Sequence, residues 1–192
     1  MVENNAKIKI GESVVVFGSG GIGLNIIQAA AMVSAYPIIA VDIFEDRLEL
    51  SKSLGATHVI NSKTNDPESE IMKILGNQKL NVFIDNTGNT GIIELGYKLV
   101  HSDGRVILVG VPRIGSDVRL YTLPLHFGKT LIGSHGGESN PSNDIPRYLN
   151  LVSKGRLEFK NIISSRYKLK DINDAILAMK SGKTAGRVLI KL

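Results

Sequence analysis

Residues Val14–Asp42 read VVVFGSGGIGLNIIQAAAMVSAYPIIAVD. Val14–Phe17 is a short apolar, β-branched run, the composition of a strand covered on both faces. Leu24–Val33 is apolar and Ala-rich, as a buried helix would be. Between them, Gly18-Ser19-Gly20-Gly21-Ile22-Gly23 fits the pattern G-x-G-x-x-G. That pattern carries weight here because it joins a strand to a helix. Gly18 permits the tight turn, Gly20 lets the backbone approach a diphosphate, and Gly23 lets the helix pack close to the strand. Unpaired N–H groups at the helix start would face the phosphates. A charge-assisted hydrogen bond of that kind contributes about 1.5–3 kcal/mol, whereas the helix dipole adds about 0.3–1, so the direct contacts dominate.

Ile38–Val41 is a second buried-type strand, introduced by Pro37 and ended by Asp42, which lies 19 residues after Gly23. A spacing of about 20 is the one at which an acid reaches the ribose hydroxyls of a bound adenosine. The Asp42 carboxylate would accept from those hydroxyls and repel a 2′-phosphate, which favours NAD over NADP. Arg47 follows on the next helix. It can flank the ribose or, in another geometry, tolerate a 2′-phosphate.

Working outward, the sequence predicts helix over Asp46–Leu54, strand at His58–Ile60, helix over Pro67–Leu75 and strand at Val82–Asp85. Helix over Thr90–Val100, strand at Arg105–Val109 and a sixth strand at Leu131–Ser134 follow. Apolar strands alternating with helices predict an α/β fold, a doubly wound parallel sheet of the Rossmann type. Its ligands sit beyond the carboxyl ends of the strands. That puts Asp85-Asn86-Thr87-Gly88-Asn89 and Val109-Gly110-Val111-Pro112 at the presumed cleft, where Gly88 and Gly110 permit close approach. Gly136–Asn143 reads as loop, Asp144–Lys154 as helix, Ile162–Leu169 as strand, Asp171–Met179 as helix capped by Asp171, and Arg187–Leu192 as strand. The expected organisation is a Rossmann domain over 1–135 and a C-terminal α+β appendage over 136–192.

Composition narrows the chemistry. The 192 residues include no Cys, so thiolate zinc sites, disulfides and cysteine nucleophiles are excluded. The four His, at 58, 101, 126 and 135, lack metal-ligand spacing. Gly182-Lys183-Thr184 and Gly128-Lys129-Thr130 resemble the end of a phosphate loop, but Leu177 and Leu123 stand where that loop needs its first Gly. No Gly-x-Ser-x-Gly elbow occurs. Charge is uneven: residues 1–96 carry 7 basic and 11 acidic side chains, and residues 97–192 carry 16 and 7. The basic half has dispersed cations and few aromatics, which argues against nucleic acid as a partner. No signal peptide and no apolar run near 18 residues is present. The expectation is a soluble, cytoplasmic protein with no membrane partner.

The stretch from Val14 to Ile60, with its LGATHVI, resembles the cofactor domain of zinc-type, medium-chain alcohol dehydrogenases. So do Val82–Gly88 (VFIDNTG), Gly104–Pro112 (GRVILVGVP) and Ser181–Ile190 (SGKTAGRVLI). The resemblance covers essentially the whole chain. It implies that Gly18, Ser19, Gly20, Gly21, Ile22 and Gly23 bind a pyrophosphate, and that Asp42 and Arg47 bind the adenosine ribose. It further implies that Thr87 and Gly88 lie along the cofactor, that Val109, Gly110 and Val111 approach the nicotinamide, and that Ser134 and His135 stand near its amide. Arg187 falls near a pyrophosphate-binding arginine of some members, in a register the sequence does not settle.

The chain departs from the family in lacking the GroES-like domain that carries the catalytic zinc ligands and a proton-relay Ser or Thr. No catalytic or metal-binding residue is therefore assigned to it, and zinc is expected only in that other domain. The expected function is the NAD(H)-binding domain of an alcohol or polyol dehydrogenase. It would orient nicotinamide for hydride transfer, be inactive alone, and pack the part after Gly136 on the catalytic domain. Two alternatives stand: a stand-alone nucleotide-sensing module, and the domain of a zinc-independent quinone or enoyl reductase. The resemblance also implies a homodimer formed through Leu120–Ile132.

Overall fold

The computed structural model describes residues 1–182 and 184–192; Lys183, in one of the two rejected phosphate-loop triplets, lies outside them. Six parallel strands form the main sheet: β1 (Val14–Phe17), β2 (Ile38–Asp42), β3 (His58–Asn61), β4 (Leu80–Asp85), β5 (Val100–Leu108) and β6 (Thr130–Gly133). Their spatial order is β3-β2-β1-β4-β5-β6, so chain direction across the sheet reverses between β1 and β4. Helices α1 (Gly21–Met32), α2 (Glu45–Ser53), α3 (Pro67–Leu75) and α4 (Thr90–Leu99) make the crossovers.

The continuous apolar runs are explained by two-sided coverage. Val14 and Val16 of β1 pack with Leu24, Ile27, Ile38 and Val82 on the α1 side. Val15 and Phe17 pack with Ile39, Ile71, Phe83 and Tyr97 on the opposite side. All four β1 residues are buried, so alternation would serve no purpose there. Burying side chains of this size stabilises by about 1.5–3 kcal/mol each.

Helix α3 starts where the sequence signals a start: Asp66 accepts a hydrogen bond from Ser69 N at 2.8 Å, with Pro67 opening the first turn. Three expectations need correction. Part of the expected loop at Gly136–Asn143 is helical, because α5 runs Pro141–Ser153. Proline suits a first helical position, where its missing N–H costs nothing. Asp144 is not the start but sits in the first turn, and its Oδ2 accepts from Asn140 N at 2.9 Å. Second, β5 begins five residues before Arg105, at Val100, which pairs with Leu80 ahead of a register shift. Third, Asp171 stands at the N-cap of α6 (Ile172–Lys180) but its side chain caps nothing.

Strands β7 (Ile163–Lys168) and β8 (Arg187–Lys191) form a separate parallel pair. This C-terminal part is held to α1 by a reciprocal amide pair, Gln28 Nε2 to Glu158 O at 3.0 Å and Glu158 N to Gln28 Oε1 at 2.6 Å. Ile162 joins the α1-side core. Helix α5 buries none of its residues, and Ile145, Leu149, Leu177 and Met179 are each more than half exposed. No helix among the described residues is long and apolar enough to cross a membrane.

Candidate nucleotide-binding cleft

A cleft of about 780 Å³ opens beyond the carboxyl ends of β1, β2 and β4, at the reversal in strand order. In an open α/β sheet this crevice is where ligands bind. Gly18, Gly20, Gly21, Ile22 and Gly23 line it together with Asp42, Arg47 and Thr87. The sequence had separated these groups by up to 69 positions; parallel pairing of β1 with both β2 and β4 brings their ends side by side.

The turn is built closely. Gly18 has φ +93°, a conformation that strains other residues. A methyl on Gly23 would overlap the Gly18 carbonyl oxygen and lie 3.0 Å from its carbon. A methyl on Gly20 would meet nothing within 4 Å. The first constraint belongs to the fold, whereas the second vacancy opens onto the cleft. Gly20 is also the N-cap of α1, with extended backbone and no side-chain cap, so the first N–H groups of the helix are left for another acceptor. Ser19, expected at the pyrophosphate, is instead wholly buried within the turn and does not line the cleft, because its N–H is turned onto Asp42.

Asp42 is the last residue of β2 and only 6% exposed. Its Oδ2 accepts from Ser19 N at 2.7 Å, and its Oδ1 from Ile43 N at 2.8 Å and Phe44 N at 3.1 Å. A carboxylate offers about four acceptor sites, so three amides leave one for a ligand. Arg47 Nη1 lies 3.6 Å from Asp42 Oδ2, and its guanidinium stacks 4.6 Å from the Phe44 ring centre. Arg47 Nε is buried without a hydrogen-bond partner among the described residues. The pair lines the cleft, with the Arg47 Nε–H enclosed behind it.

Arg187 closes the turn from the far end of the chain. Its side chain lies across Gly21, where a methyl would sit 2.5 Å from Cδ and 2.8 Å from Cζ. The register that the sequence left open is resolved to this extent: Arg187 lines the cleft beside the glycine turn. Ile43, Phe44, Ser62, Pro67, Asn86, Asn89 and Ile92 also line it. Of these, only Asn86 and Asn89 were expected at the cleft, as part of the turn after β4. For Ile43 and Phe44 the signal was adjacency to Asp42; for Ser62 and Pro67 there was none.

The remaining expected residues lie outside that cavity. Gly88 and Gly110 abut one another, since a methyl on Gly110 would overlap Gly88 N. Val109 and Gly110 each donate a backbone bond to Asp85 O, at 2.8 and 2.9 Å. Val111 is 89% exposed. Ser134 follows β6, donating from N to Leu108 O at 2.8 Å and from Oγ to Asn5 Oδ1 at 2.9 Å, and His135 beside it is exposed. These groups extend the rim across the ends of β5 and β6.

Sheet order and glycine turn together define a Rossmann-like α/β domain. The chain belongs to the zinc-binding dehydrogenase family, whose profile matches residues 21–154. It is 30% identical over 190 residues to S-(hydroxymethyl)glutathione dehydrogenase of Synechocystis, covering 98% of this chain and 52% of that protein. It is 32% identical over 193 residues to alcohol dehydrogenase 1 of Pisum sativum, covering 98% and 50%. Among solved structures, benzyl alcohol dehydrogenase of Acinetobacter calcoaceticus superposes with TM-score 0.90 at 36% identity, covering 97% of this chain and 51% of that one. A zinc-binding-domain alcohol dehydrogenase of Burkholderia ambifaria gives 0.91 at 33%, covering 100% and 51%. The chain therefore spans about half the length of the relatives it matches.

The residues present do not fit a zinc ion. Among the described residues no three His, Cys, Asp or Glu side chains converge, and the chain has no Cys.

Proposed function

We propose that this chain is the NAD(H)-binding domain of a zinc-type alcohol or polyol dehydrogenase. One observation carries the reading: a glycine turn with open space at Gly20 and a buried acid, Asp42, share the crevice at the sheet's reversal point. Gly20 to Gly23 hold the pyrophosphate on the first amides of α1, Gly18 and the buried Ser19 shape the turn through bonds to Val41 O and Asp42, and Arg187 supplies positive charge beside it. Asp42 uses its remaining acceptor site for the adenosine ribose, and the Arg47 guanidinium, 3.6 Å from Asp42 at Nη1, flanks it. Thr87 and Gly88 line the path of the cofactor. Val109, Gly110 and Val111 approach the nicotinamide, with Ser134 and His135 near its amide.

The bound nicotinamide supplies the hydride chemistry, and the domain's contribution is orientation. Residues 1–135 form the cofactor domain proper. The exposed apolar side chains of residues 136–192, such as Leu149 and Leu177, support their docking on a catalytic domain that bears the zinc. Edge strand β6 and exposed Tyr121, Leu123 and Phe127 support pairing of Leu120–Ile132 with a second copy.

Fluorescence titration with NADH and NADPH tests the cofactor. NADH is expected to bind more tightly, and Asp42→Asn to weaken NADH while narrowing the gap. Equal weakness for both cofactors in the unaltered chain would sink the assignment.

A further inference from the structure

Asp85 ends β4 wholly buried. A carboxylate is an expensive occupant of such a position unless donors surround it. Among the described residues no basic side chain pairs with it. Its donors come instead from the turn it precedes. Oδ1 accepts from Thr87 N at 2.9 Å and Thr87 Oγ1 at 2.6 Å, and Oδ2 from Gly88 N at 3.0 Å.

The same residue's backbone oxygen accepts from Val109 N and Gly110 N, the start of the next rim loop. One residue thus grips two loops, with its side chain and its main chain. The loops touch with no slack. A methyl on Gly88 would lie 2.5 Å from Val111 O, and one on Gly110 would lie 2.6 Å from Thr87 N. Thr87 also bears on the glycine turn, its Cγ2 3.1 Å from where a Gly18 methyl would stand. Any shift of turn 86–88 is therefore passed to both 109–111 and Gly18.

The carboxyl group is chemically specific here. It accepts at both oxygens, whereas an amide must point its NH₂ at one of the turn's N–H groups. We infer that Asp85 is a positioning residue for the ring end of the cofactor, fixing the spacing between turn 86–88 and loop 109–111 without touching the ligand. This rests on the nucleotide-binding reading above.

The test compares NADH with ADP-ribose, which lacks the nicotinamide ring, by calorimetric titration of the 192-residue chain well below its melting temperature. Asp85→Asn is expected to weaken NADH at least threefold more than ADP-ribose, the scale of one misdirected hydrogen bond. The NADH emission maximum, which reports the ring's surroundings, is expected to move towards that of free NADH. A variant that melts lower but keeps the NADH to ADP-ribose ratio has lost only stability, and that result overturns the inference. Should Asp85→Asn not fold, Asp85→Ser decides, because a single hydroxyl cannot accept from both turn amides and no residue placed against the ligand is altered. A lowered ratio supports the inference and an unchanged ratio overturns it. If the unaltered chain binds neither ligand, the nucleotide reading falls and takes this inference with it. If it binds both and the variants weaken both equally, only the inference falls.

Discussion

Gly20→Ala separates a turn built for a ligand from a turn built for the fold. The new methyl meets no protein atom within 4 Å, and the backbone there, φ −72° and ψ −171°, is open to any residue. Two small effects on the free protein oppose each other. Alanine is a poorer N-cap than glycine, by several tenths of a kcal/mol to about 1. It also restricts the unfolded chain, which stabilises by about 0.4–1 kcal/mol. The melting temperature should therefore stay within about 2–4 °C, the shift that 1 kcal/mol produces in a chain of this size.

A diphosphate on the α1 amides would meet the methyl directly. Losing one charge-assisted hydrogen bond costs about 1.5–3 kcal/mol, which is roughly ten- to a hundredfold in Kd. The assay pairs a thermal melt of the free chain with an NADH fluorescence titration. An intact melt with loss of NADH affinity is the expected result. Gly23→Ala should differ, because its methyl overlaps the Gly18 carbonyl. Overpacking against backbone costs about 1–3 kcal/mol, so stability falls as well as binding. If Gly20→Ala binds NADH as the unaltered chain does, the pyrophosphate does not sit on this turn and the argument fails.

Arg187→Ala is expected to weaken NADH, and to flatten the dependence of Kd on salt, since it removes a cation from the turn; titrations at two salt concentrations check both. The Glu12–Arg105 ion pair ties the segment before β1 to β5, with Nη1 3.2 Å from Oε1 and Arg105 Nε donating to Ala6 O at 2.7 Å. Burial alone would raise the Glu12 carboxyl, but hydrogen bonds from Arg105 and the Lys9 amide hold it below its ordinary value of 4.5. A depressed carboxylate stabilises above its unfolded value and loses that contribution as pH falls. Urea midpoints of Glu12→Gln should thus lie below those of the unaltered chain at pH 7 and converge with them below about pH 4.5; a constant gap contradicts the sign. Phe127→Glu is expected to convert a sedimenting dimer to monomer, and a chain already monomeric at high concentration removes the proposed pairing.

The strand, glycine turn and helix of Val14–Met32 were legible because each is a local property: apolar runs, a fixed glycine spacing and helix-forming composition. Asp42 was legible by its count from Gly23, since a crossover of near-constant length delivers the end of β2 to the same crevice. Helix starts were less so: Pro141 opens α5 ahead of the acid that had marked it. Ser62 and Pro67 along the wall and the grip of Asp85 on two loops came only from packing, and packing also set over Gly21 the Arg187 that resemblance had offered in an open register. Nothing in the residues around 187 specifies a phosphate turn near residue 20. That meeting depends on Ile162 entering the α1-side core and on Gln28 holding Glu158, contacts between segments well over a hundred residues apart. Local composition sets which elements form and where they turn, whereas side chains converge only after long-range burial has fixed how those elements are stacked.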